Sequence, residues 1–142
     1  MEEERLINSY DKHYLRCAKE VSNASDFPRV HIGCVIVQRH RLISSGYNSE
    51  TKMSTLQSRI NSKHFKCQCS GKLHAETMAM LPFLKTHTSL KGATLYTYRE
   101  TADGRLGKSR PCPRCMSLIK SLEIKKIVYT TEDGVAKEKL IY

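Results

Sequence analysis

The order of apolar patterns along the chain predicts a three-layer α/β/α domain around a mixed central sheet. A helical pattern opens the chain, a strand hairpin follows, and helix, strand, helix and strand then alternate. The closing strand-helix-strand order implies a right-handed crossover, which makes its two strands parallel. We expect a single domain over residues 1–142, a length sufficient to bury a core unaided.

The first half of the chain predicts one helix and one hairpin. Residues 5–24 carry apolar or half-apolar side chains three or four positions apart, which favours an amphipathic helix that Phe27-Pro28 ends. Its apolar side comprises Leu6, Tyr10, Tyr14, Cys17, Ala18 and Val21. Residues 32–37 are a β-branched run typical of a strand buried on both faces. A turn at 38–40 then leads into a second strand over 41–47.

The middle of the chain is less regular. Residues 48–71 are polar and basic, and we expect a long loop with a short helix at 53–60. A second helix follows from His74, and Pro82 is expected to kink or end it.

The last third predicts two strands joined by a helix. The strands fall at 93–99 and 125–130, and 100–110 is a polar loop between the first strand and the helix. Pro111 suits the first turn of that helix, where its missing N–H costs nothing. The apolar side of the helix carries Cys115, Met116, Leu118, Ile119 and Leu122. Residues 135–142 are either a last strand or a short helix.

Composition narrows the function classes. The chain has no apolar run long enough for a membrane span, and its acidic start is unlike a secretory signal. We therefore expect a cytoplasmic protein (host cytoplasm if the chain is viral), where six cysteines favour metal binding over disulfides. The net charge of +10 suits anionic partners such as nucleotides or nucleic acid, or a solubilising surface.

The strongest chemical signal is a split metal motif. His74, Cys112 and Cys115 offer one imidazole and two thiolates, which zinc binds readily. Three protein ligands leave a fourth position for water, as in a catalytic site. Glu76 lies two residues from the histidine and would move protons from that water to the substrate and to departing ammonia. His-x-Glu with Pro-Cys-x-x-Cys is the zinc deaminase signature.

Parts of this motif have other interpretations. A lone His-x-Glu carries almost no information, and a lone Cys-x-x-Cys is also found in redox sites. Cys67 and Cys69 would complete a zinc ribbon with Cys112 and Cys115, but their spacing is wrong and the ribbon leaves Glu76 idle. The combination therefore favours one catalytic Zn²⁺.

At these residues the chain resembles the cytidine/deoxycytidylate deaminase superfamily, most closely its deoxycytidylate deaminase-like branch, over about residues 32–131. The resemblance implies a cytidine deaminase-like fold, a catalytic zinc on the three ligands, and hydrolytic removal of an exocyclic amine. It also implies that Asn48, in the Gly-x-Asn pattern, and Ala75 contact the substrate, and that the protein is a homo-oligomer.

Substrate contacts and substrate identity are less well defined by the sequence. A nucleotide needs a phosphate grip, for which the candidates are Lys52, Arg59, Lys63, Lys108 and Arg110. Tyr98 or Phe65 would stack on the base or pack in the core. His64, Cys67 and Cys69 are candidates for a second zinc, whereas Cys17 and Cys34 are expected to be buried small side chains.

Two sequence features point to different branches of the superfamily. With Met78, the pattern His-Ala-Glu-x-Met-Ala is similar to that of the tRNA adenosine deaminases. The long loop before Pro111 is instead similar to the loop of deoxycytidylate deaminase-like proteins. Our first hypothesis is a deaminase converting dCMP to dUMP for thymidylate synthesis, with dCTP and deoxycytidine as further substrates. The alternatives are a polynucleotide base deaminase and a non-catalytic, zinc-stabilised nucleic-acid-binding module.

Overall fold

The structure is a computed structural model that describes residues 7–53 and 72–140. In this part of the chain the elements are, in order, α1 Ser9–Ser22, β1 Val30–Gln38, β2 Arg41–Tyr47, β3 Ser49–Met53, β4 Lys72–Leu73, α2 Ala75–Lys85, β5 Thr94–Thr101, α3 Pro113–Ser121, β6 Lys126–Thr130 and β7 Val135–Lys139. None of the helices in this part of the chain is long and apolar enough to cross a membrane.

The central sheet has five strands in the order β2-β1-β5-β6-β7, and β3 pairs with β4 in a separate two-stranded sheet. Strands β5 and β6 run parallel, and the other neighbours in the central sheet are antiparallel. The predicted mixed sheet and the predicted parallel pair are therefore confirmed. The parallel pair brings the chain segments that follow β5 and β6 to the same edge of the sheet.

The two faces of the sheet carry separate apolar cores. One core packs Tyr14, Leu15 and Ala18 of α1 against one face of the sheet. On the other face, side chains of α2 and α3, among them Met80 and Ile119, form the larger core. Helices thus cover both faces, which confirms the three-layer α/β/α architecture.

Helix α1 is shorter than its apolar pattern predicts. Asn8 caps the helix through a reciprocal capping box with Asp11, and the helix ends at Ser22, before Phe27-Pro28. The predicted inward position of Tyr10 is wrong, since 57% of this residue is exposed, while Leu15 is buried instead. The capping box sets the start of the helix. Tyr10 was counted as apolar in the periodic pattern because tyrosine is half apolar, although its side chain is exposed.

The predicted hairpin is present, with β1 longer than expected and buried from Cys34 to Val37. Its turn has two central residues, Arg39 and His40, with φ of 53° and 60°. Both therefore lie in the left-handed region, which a two-residue type I′ turn requires. The hydroxyl of Tyr14 donates a hydrogen bond to the His40 carbonyl oxygen at 3.0 Å, which fixes this turn against α1.

The prediction of a structureless loop from residue 48 onward is wrong at its first residues. Ser49–Met53 forms a strand that pairs with Lys72–Leu73. Residues 49–53 form a strand because they pair with a distant segment, and their local β-propensity does not predict this. The predicted helix at 53–60 begins on the last residue of β3, and residues 54–60 lie outside the described residues, as do His64, Cys67 and Cys69.

The structure bears on two proline predictions. Helix α2 continues past Pro82 to Lys85, so the predicted early end is wrong, while the alternative of a kink stays a prediction. Helix α3 starts with Pro113, not Pro111, and Cys112 is its N-cap in an extended conformation. A residue before proline is pushed out of the helical region, so Cys112 before Pro113 is held outside the helix.

The C-terminal part is more regular than predicted. Strand β5 extends to Thr101, and Glu100 pairs with Leu106 across a turn, so the predicted loop at 100–110 begins as strand. The open choice for residues 135–142 is resolved in favour of strand β7. Cys34 is buried as expected, whereas Cys17 is only partly buried.

One buried ion pair joins α1 to the sheet. Lys137 Nζ donates to Asp11 Oδ2 at 2.8 Å, and the Tyr96 hydroxyl donates to Asp11 Oδ1 at 2.7 Å. Burial opposes ionisation of this carboxyl, but the hydrogen bonds from Lys137, Tyr96 and the Asn8 backbone outweigh it and lower the pKa of Asp11. The native state therefore favours the ionised carboxylate.

We expect Asp11→Asn to lower the free energy of unfolding by about 3 kcal/mol, because the Lys137 ammonium is left buried without its partner. Since the folded pKa lies below the unfolded one, the Asp11 contribution is full above the unfolded pKa and is lost as pH falls through the folded pKa. Urea titrations between neutral pH and pH 3 should show a smaller acid-side loss of stability in the variant. A wild-type pH dependence in Asp11→Asn would contradict this, and exposed Asp133→Asn is the matched control.

Candidate metal centre

The side chains of His74, Cys112 and Cys115 meet at one point. Their ligand atoms all lie within 4.8 Å of one another. The Nδ1 atom of His74 is 3.9 Å from the Cys112 sulfur and 3.6 Å from the Cys115 sulfur. Residues 38 and 41 positions apart in sequence thus form one group, as the split motif predicts.

Two helix starts position this group. His74 is the N-cap of α2 and Cys112 is the N-cap of α3, and neither side chain caps its own helix. Both side chains are therefore available to an external ligand. Cys115 follows in the first turn of α3, where its hydrogen bond to Cys112 and its burial raise the pKa of its thiol.

The three side chains perturb one another's protonation. A hydrogen bond from the Cys115 thiol, helped by His74, lowers the pKa of Cys112. The hydrogen bond between His74 and Cys112 raises the pKa of His74 against the effect of burial. The group thus stabilises the Cys112 thiolate, the form of cysteine that binds a divalent cation.

The donor set and its spacing fit zinc. Zn–N and Zn–S bonds of about 2.1 and 2.3 Å in a tetrahedron place the nitrogen about 3.6 Å from each sulfur. The separations of 3.9 and 3.6 Å therefore need only a small adjustment. One imidazole and two thiolates leave the fourth position for water, and no fourth Cys, His or carboxylate among the described residues joins the group.

Glu76 lies next to these ligands and is 6% exposed. Burial raises the pKa of its carboxyl, and the Cys112 thiolate raises it further, while His74 and a hydrogen bond from Cys115 partly oppose this. The carboxyl is thus close enough to contact a ligand sulfur. A carboxyl in such a site can accept a proton and release it again.

The start of α2 rests directly on strand β2 at Gly46. A Cβ atom on this glycine would lie 2.3 Å from the Ala75 carbonyl oxygen and 2.6 Å from the Ala79 nitrogen. Only glycine permits this approach, because no backbone atom there can move without moving the helix. Since His74 and Glu76 flank Ala75, the contact sets the height of both above the sheet.

Ser109 anchors the other half of the site. Its hydroxyl accepts a hydrogen bond from the Thr130 nitrogen at 2.8 Å and donates one to the Thr97 carbonyl oxygen at 3.0 Å. Its backbone nitrogen donates to the Thr130 carbonyl oxygen at 2.9 Å. The segment before Cys112 is therefore inserted between the ends of the parallel strands β5 and β6, and this fixes the path of the chain into α3.

Asn48 and Ala75, the two residues predicted to contact the substrate, are both buried. Asn48 is buried, and its side chain accepts from the Ile32 nitrogen at 2.8 Å and donates to the Val30 carbonyl oxygen at 3.1 Å, so it ties the chain after β2 to β1. Ala75 is buried beside the metal ligands.

The predicted phosphate-binding residues differ in whether their charge is already paired. Arg110 forms a two-point ion pair with Glu138, at 2.7 and 3.2 Å, whereas Lys108 is exposed. Arg59, Lys63 and Phe65 lie outside the described residues, as does the side chain of Lys52 in β3.

Two further side chains contribute to the geometry of the site. The Thr77 hydroxyl is buried 3.9 Å from the Cys115 sulfur, and the Met78 sulfur accepts a hydrogen bond from the Tyr47 nitrogen at 3.4 Å. Thr77 and Ser109 were not among the predicted site residues, because polar residues inside buried packing carry no periodic signal. Of the two predicted roles of Tyr98, core packing is observed: its ring packs against the apolar core under α1, with Lys19 Nζ 6.0 Å from the ring centroid.

The family comparison decides the identity of the site. Residues 8–131 match the family model for the cytidine and deoxycytidylate deaminase zinc-binding region. The chain belongs to this family. It is a zinc-dependent deaminase, and the His-Cys-Cys group is where its residues can hold one metal ion. The predicted enzyme class and the predicted single zinc are confirmed.

Two relatives of known sequence agree with this assignment. The chain is 29% identical over 135 residues to a deoxycytidylate deaminase of Mycobacterium phage D29, covering 87% of this chain and 95% of the relative. It is 28% identical over 138 residues to the Schizosaccharomyces pombe deoxycytidylate deaminase, covering 89% of this chain and 38% of the relative.

Two crystal structures share the fold of this deaminase. The dCMP deaminase of cyanophage S-TIM5 has a TM-score of 0.62 at 22% identity, covering 89% of this chain and 86% of that one. The cytidine deaminase of Burkholderia pseudomallei has a TM-score of 0.58 at 15% identity, covering 94% of this chain and 93% of that one. The predicted cytidine deaminase-like fold is confirmed.

We expect Gly46→Ala to displace the start of α2 and loosen the grip on zinc. Overpacking of this kind should lower the free energy of unfolding by about 2 kcal/mol. Transfer of zinc to a colorimetric chelator should be at least about tenfold faster than in the wild type, since a shifted ligand weakens the site.

Gly107→Ala is the control, because the three atoms nearest to its Cβ would belong to the flexible Arg99 side chain, at 3.0–3.2 Å. Wild-type zinc release from Gly46→Ala would show that the contact between β2 and α2 does not position His74.

Proposed function

We propose that this deaminase converts dCMP to dUMP, adding water to the cytosine ring and releasing ammonia. The observation that carries the proposal is the buried Glu76 carboxyl beside the three-residue metal group. A non-catalytic zinc module has no use for a carboxyl in this position. Hydrolytic deamination needs such a group, because protons must move from water to a ring nitrogen and to the leaving amine.

The choice of a deoxycytidine nucleotide is supported by the phage D29 relative. That relative is a deoxycytidylate deaminase, and the match covers most of both chains. The net charge of +10 also suits an anionic substrate over a neutral nucleoside.

The proposed mechanism assigns one task to each part of the site. His74, Cys112 and Cys115 would hold zinc, which supplies a Lewis acid that makes water nucleophilic near neutral pH. Glu76 takes a proton from the attacking water and delivers it to ring nitrogen N3 of cytosine. After attack at C4, the same carboxyl takes the proton of the new C4 hydroxyl and passes it to the amine, so that the C4–N bond breaks, the C4 carbonyl forms and ammonia leaves. The raised pKa of Glu76 suits both the acceptance and the return of a proton.

Asn48 is proposed to contact the sugar or base while it holds β1 and β2 together. Its amide group makes two side-chain hydrogen bonds to β1, which leaves one N–H and one oxygen lone pair for a ligand. The amide is fixed by these bonds before any substrate arrives. Little conformational entropy is then lost when the substrate binds.

Lys108 is the better candidate for the phosphate contact. The Arg110 guanidinium is held by Glu138, whose carboxylate also accepts from the Tyr129 hydroxyl at 2.7 Å. Breaking that network to bind a phosphate would cost free energy. Lys108 lies one residue before Ser109, so its backbone is fixed at the edge of the sheet where the chain enters α3.

The function is tested by measuring ammonia release from dCMP, dCTP, deoxycytidine, cytidine, single-stranded DNA and tRNA. We expect dCMP to give the highest kcat/KM. Glu76→Gln should lower kcat by roughly 10²–10⁴-fold with unchanged zinc content, because proton transfer is lost while the ligands remain. Exposed Glu132→Gln is the matched control. Activity on a polymer alone would contradict dCMP as substrate, and a fully active Glu76→Gln would contradict the mechanism.

A phosphate contact should affect KM for the nucleotide but not KM for the nucleoside. We expect Lys108→Ala to raise KM for dCMP about tenfold while KM for deoxycytidine stays constant, since only the nucleotide carries the phosphate. Steady-state kinetics on both substrates measure this. Lys120→Ala, an exposed change on α3, should alter neither value. An equal rise of KM for both substrates would remove Lys108 from this role.

A further inference from the structure

A second cleft lies at the other end of the sheet from the metal group and on the opposite face. It has a volume of about 460 Å³ and lies between the start of α1, the β1–β2 turn, the turn before β5 and the ends of β6 and β7. In the sheet register, Val37 of β1 pairs with Thr94 of β5 at this end, while Val30 pairs with Thr101 at the other. The cleft is therefore separate from the deaminase site.

The lining of the cleft is strongly cationic. Arg39, Lys91 and Lys126 line it, and none of them has an ion pair with a carboxylate in residues 7–53 or 72–140. The Asp11 carboxylate of the lining is already bound by Lys137 and Tyr96. The lining thus holds three positive charges beyond the Lys137–Asp11 pair, and the Asp11 carboxylate offsets only part of the repulsion at Lys126.

Lys126 lies close to further lysines just before β6 and in β7. Burial lowers the pKa of its ammonium, the nearby ammonium groups of Lys137, Lys125 and Lys139 lower it further, and the Asp11 carboxylate partly opposes this. A cluster of like charges raises the free energy of the folded protein. An anion bound in the cleft would relieve that repulsion.

The β1–β2 turn shows a further departure from the most stable arrangement. Both Arg39 and His40 adopt positive φ, where Asn-Gly is the favoured pair and a large side chain costs free energy. Unfavourable backbone conformations that persist are concentrated at functional sites. Here they carry a guanidinium and an imidazole into the lining of the cleft.

The walls of the cleft are fixed before any ligand binds. The His40 ring packs against Tyr10 with centroids 5.0 Å apart, and the His40 carbonyl accepts from the Tyr14 hydroxyl. Gln38 Nε2 donates to the Lys91 carbonyl oxygen at 3.1 Å, which ties the turn before β5 to the hairpin. The cationic residues therefore project from a rigid frame.

We propose that this cleft binds a compact anion with two or three linked phosphate groups. Arg39, Lys91 and Lys126 supply three positive charges, which matches the charge of a diphosphate or triphosphate better than that of a single phosphate. The Arg39 guanidinium can engage two phosphate oxygens at once, and the lysines act as point charges. The site does not depend on the proposed substrate of the metal centre, because it lies at the other end of the sheet.

The probe is inorganic tripolyphosphate, titrated calorimetrically into the zinc-loaded protein at physiological salt. Zinc content is measured before and after, since polyphosphates chelate zinc. We expect one binding event per chain, at least tenfold tighter than that of inorganic monophosphate or a short single-stranded DNA. Arg39→Gln and Lys126→Gln should each weaken it at least about fivefold, whereas Lys120→Gln on the opposite face should not.

A second variant separates binding from folding. Arg39→Asn combined with His40→Gly relieves the turn, so Tm should rise by about 3 °C while tripolyphosphate binding is lost. Deaminase activity of this variant should equal that of the wild type. Unchanged affinity for tripolyphosphate in Arg39→Gln and Lys126→Gln, or an equal loss of affinity in Lys120→Gln, would overturn the proposal, as would tighter binding of DNA than of tripolyphosphate.

Discussion

The convergence of two helix starts on one point is the constraint on which most of the described structure depends. Helices α2 and α3 bring His74 and Cys112 within 3.9 Å of each other, although the two residues are far apart in sequence. The close contact of Gly46 with the first turn of α2 fixes one helix, and Ser109 between β5 and β6 fixes the other. The parallel β5–β6 pair makes this possible, because it opens at the edge where the chain enters α3.

Burial then gives the metal group its chemistry. Glu76 lies in the same low-dielectric environment as the ligand sulfurs, so its carboxyl holds a proton more readily than an exposed glutamate would. Cys112 lies at the start of α3 and Glu76 in the first turn of α2, and each helix start is set by a different contact with the sheet. The charged network around Asp11 performs an unrelated task, since it attaches α1 to the opposite face.

Much of this could be predicted from the sequence. Motif spacing and apolar period predict that His74, Cys112 and Cys115 cluster, that the sheet has a parallel pair and that helices cover both faces. Local reasoning failed where distant contacts decide: β3 depends on pairing with β4, and Ser109 depends on being enclosed by two strands. The predicted helix start at Pro111 was also wrong. Pro113 forces an extended conformation on Cys112, so the helix starts at Pro113. Tyr10 was misplaced because its ring looks apolar in a periodic pattern, yet it lies beside an open cationic cleft.

The most direct test of the central claim is X-ray absorption spectroscopy at the zinc edge of the purified protein. If His74, Cys112 and Cys115 converge on one catalytic ion, the spectrum shows one zinc per chain with two sulfur and two nitrogen or oxygen neighbours, at about 2.3 and 2.0–2.1 Å. Four sulfur neighbours would contradict the account, because they would require cysteines other than Cys112 and Cys115 and would leave no position for water.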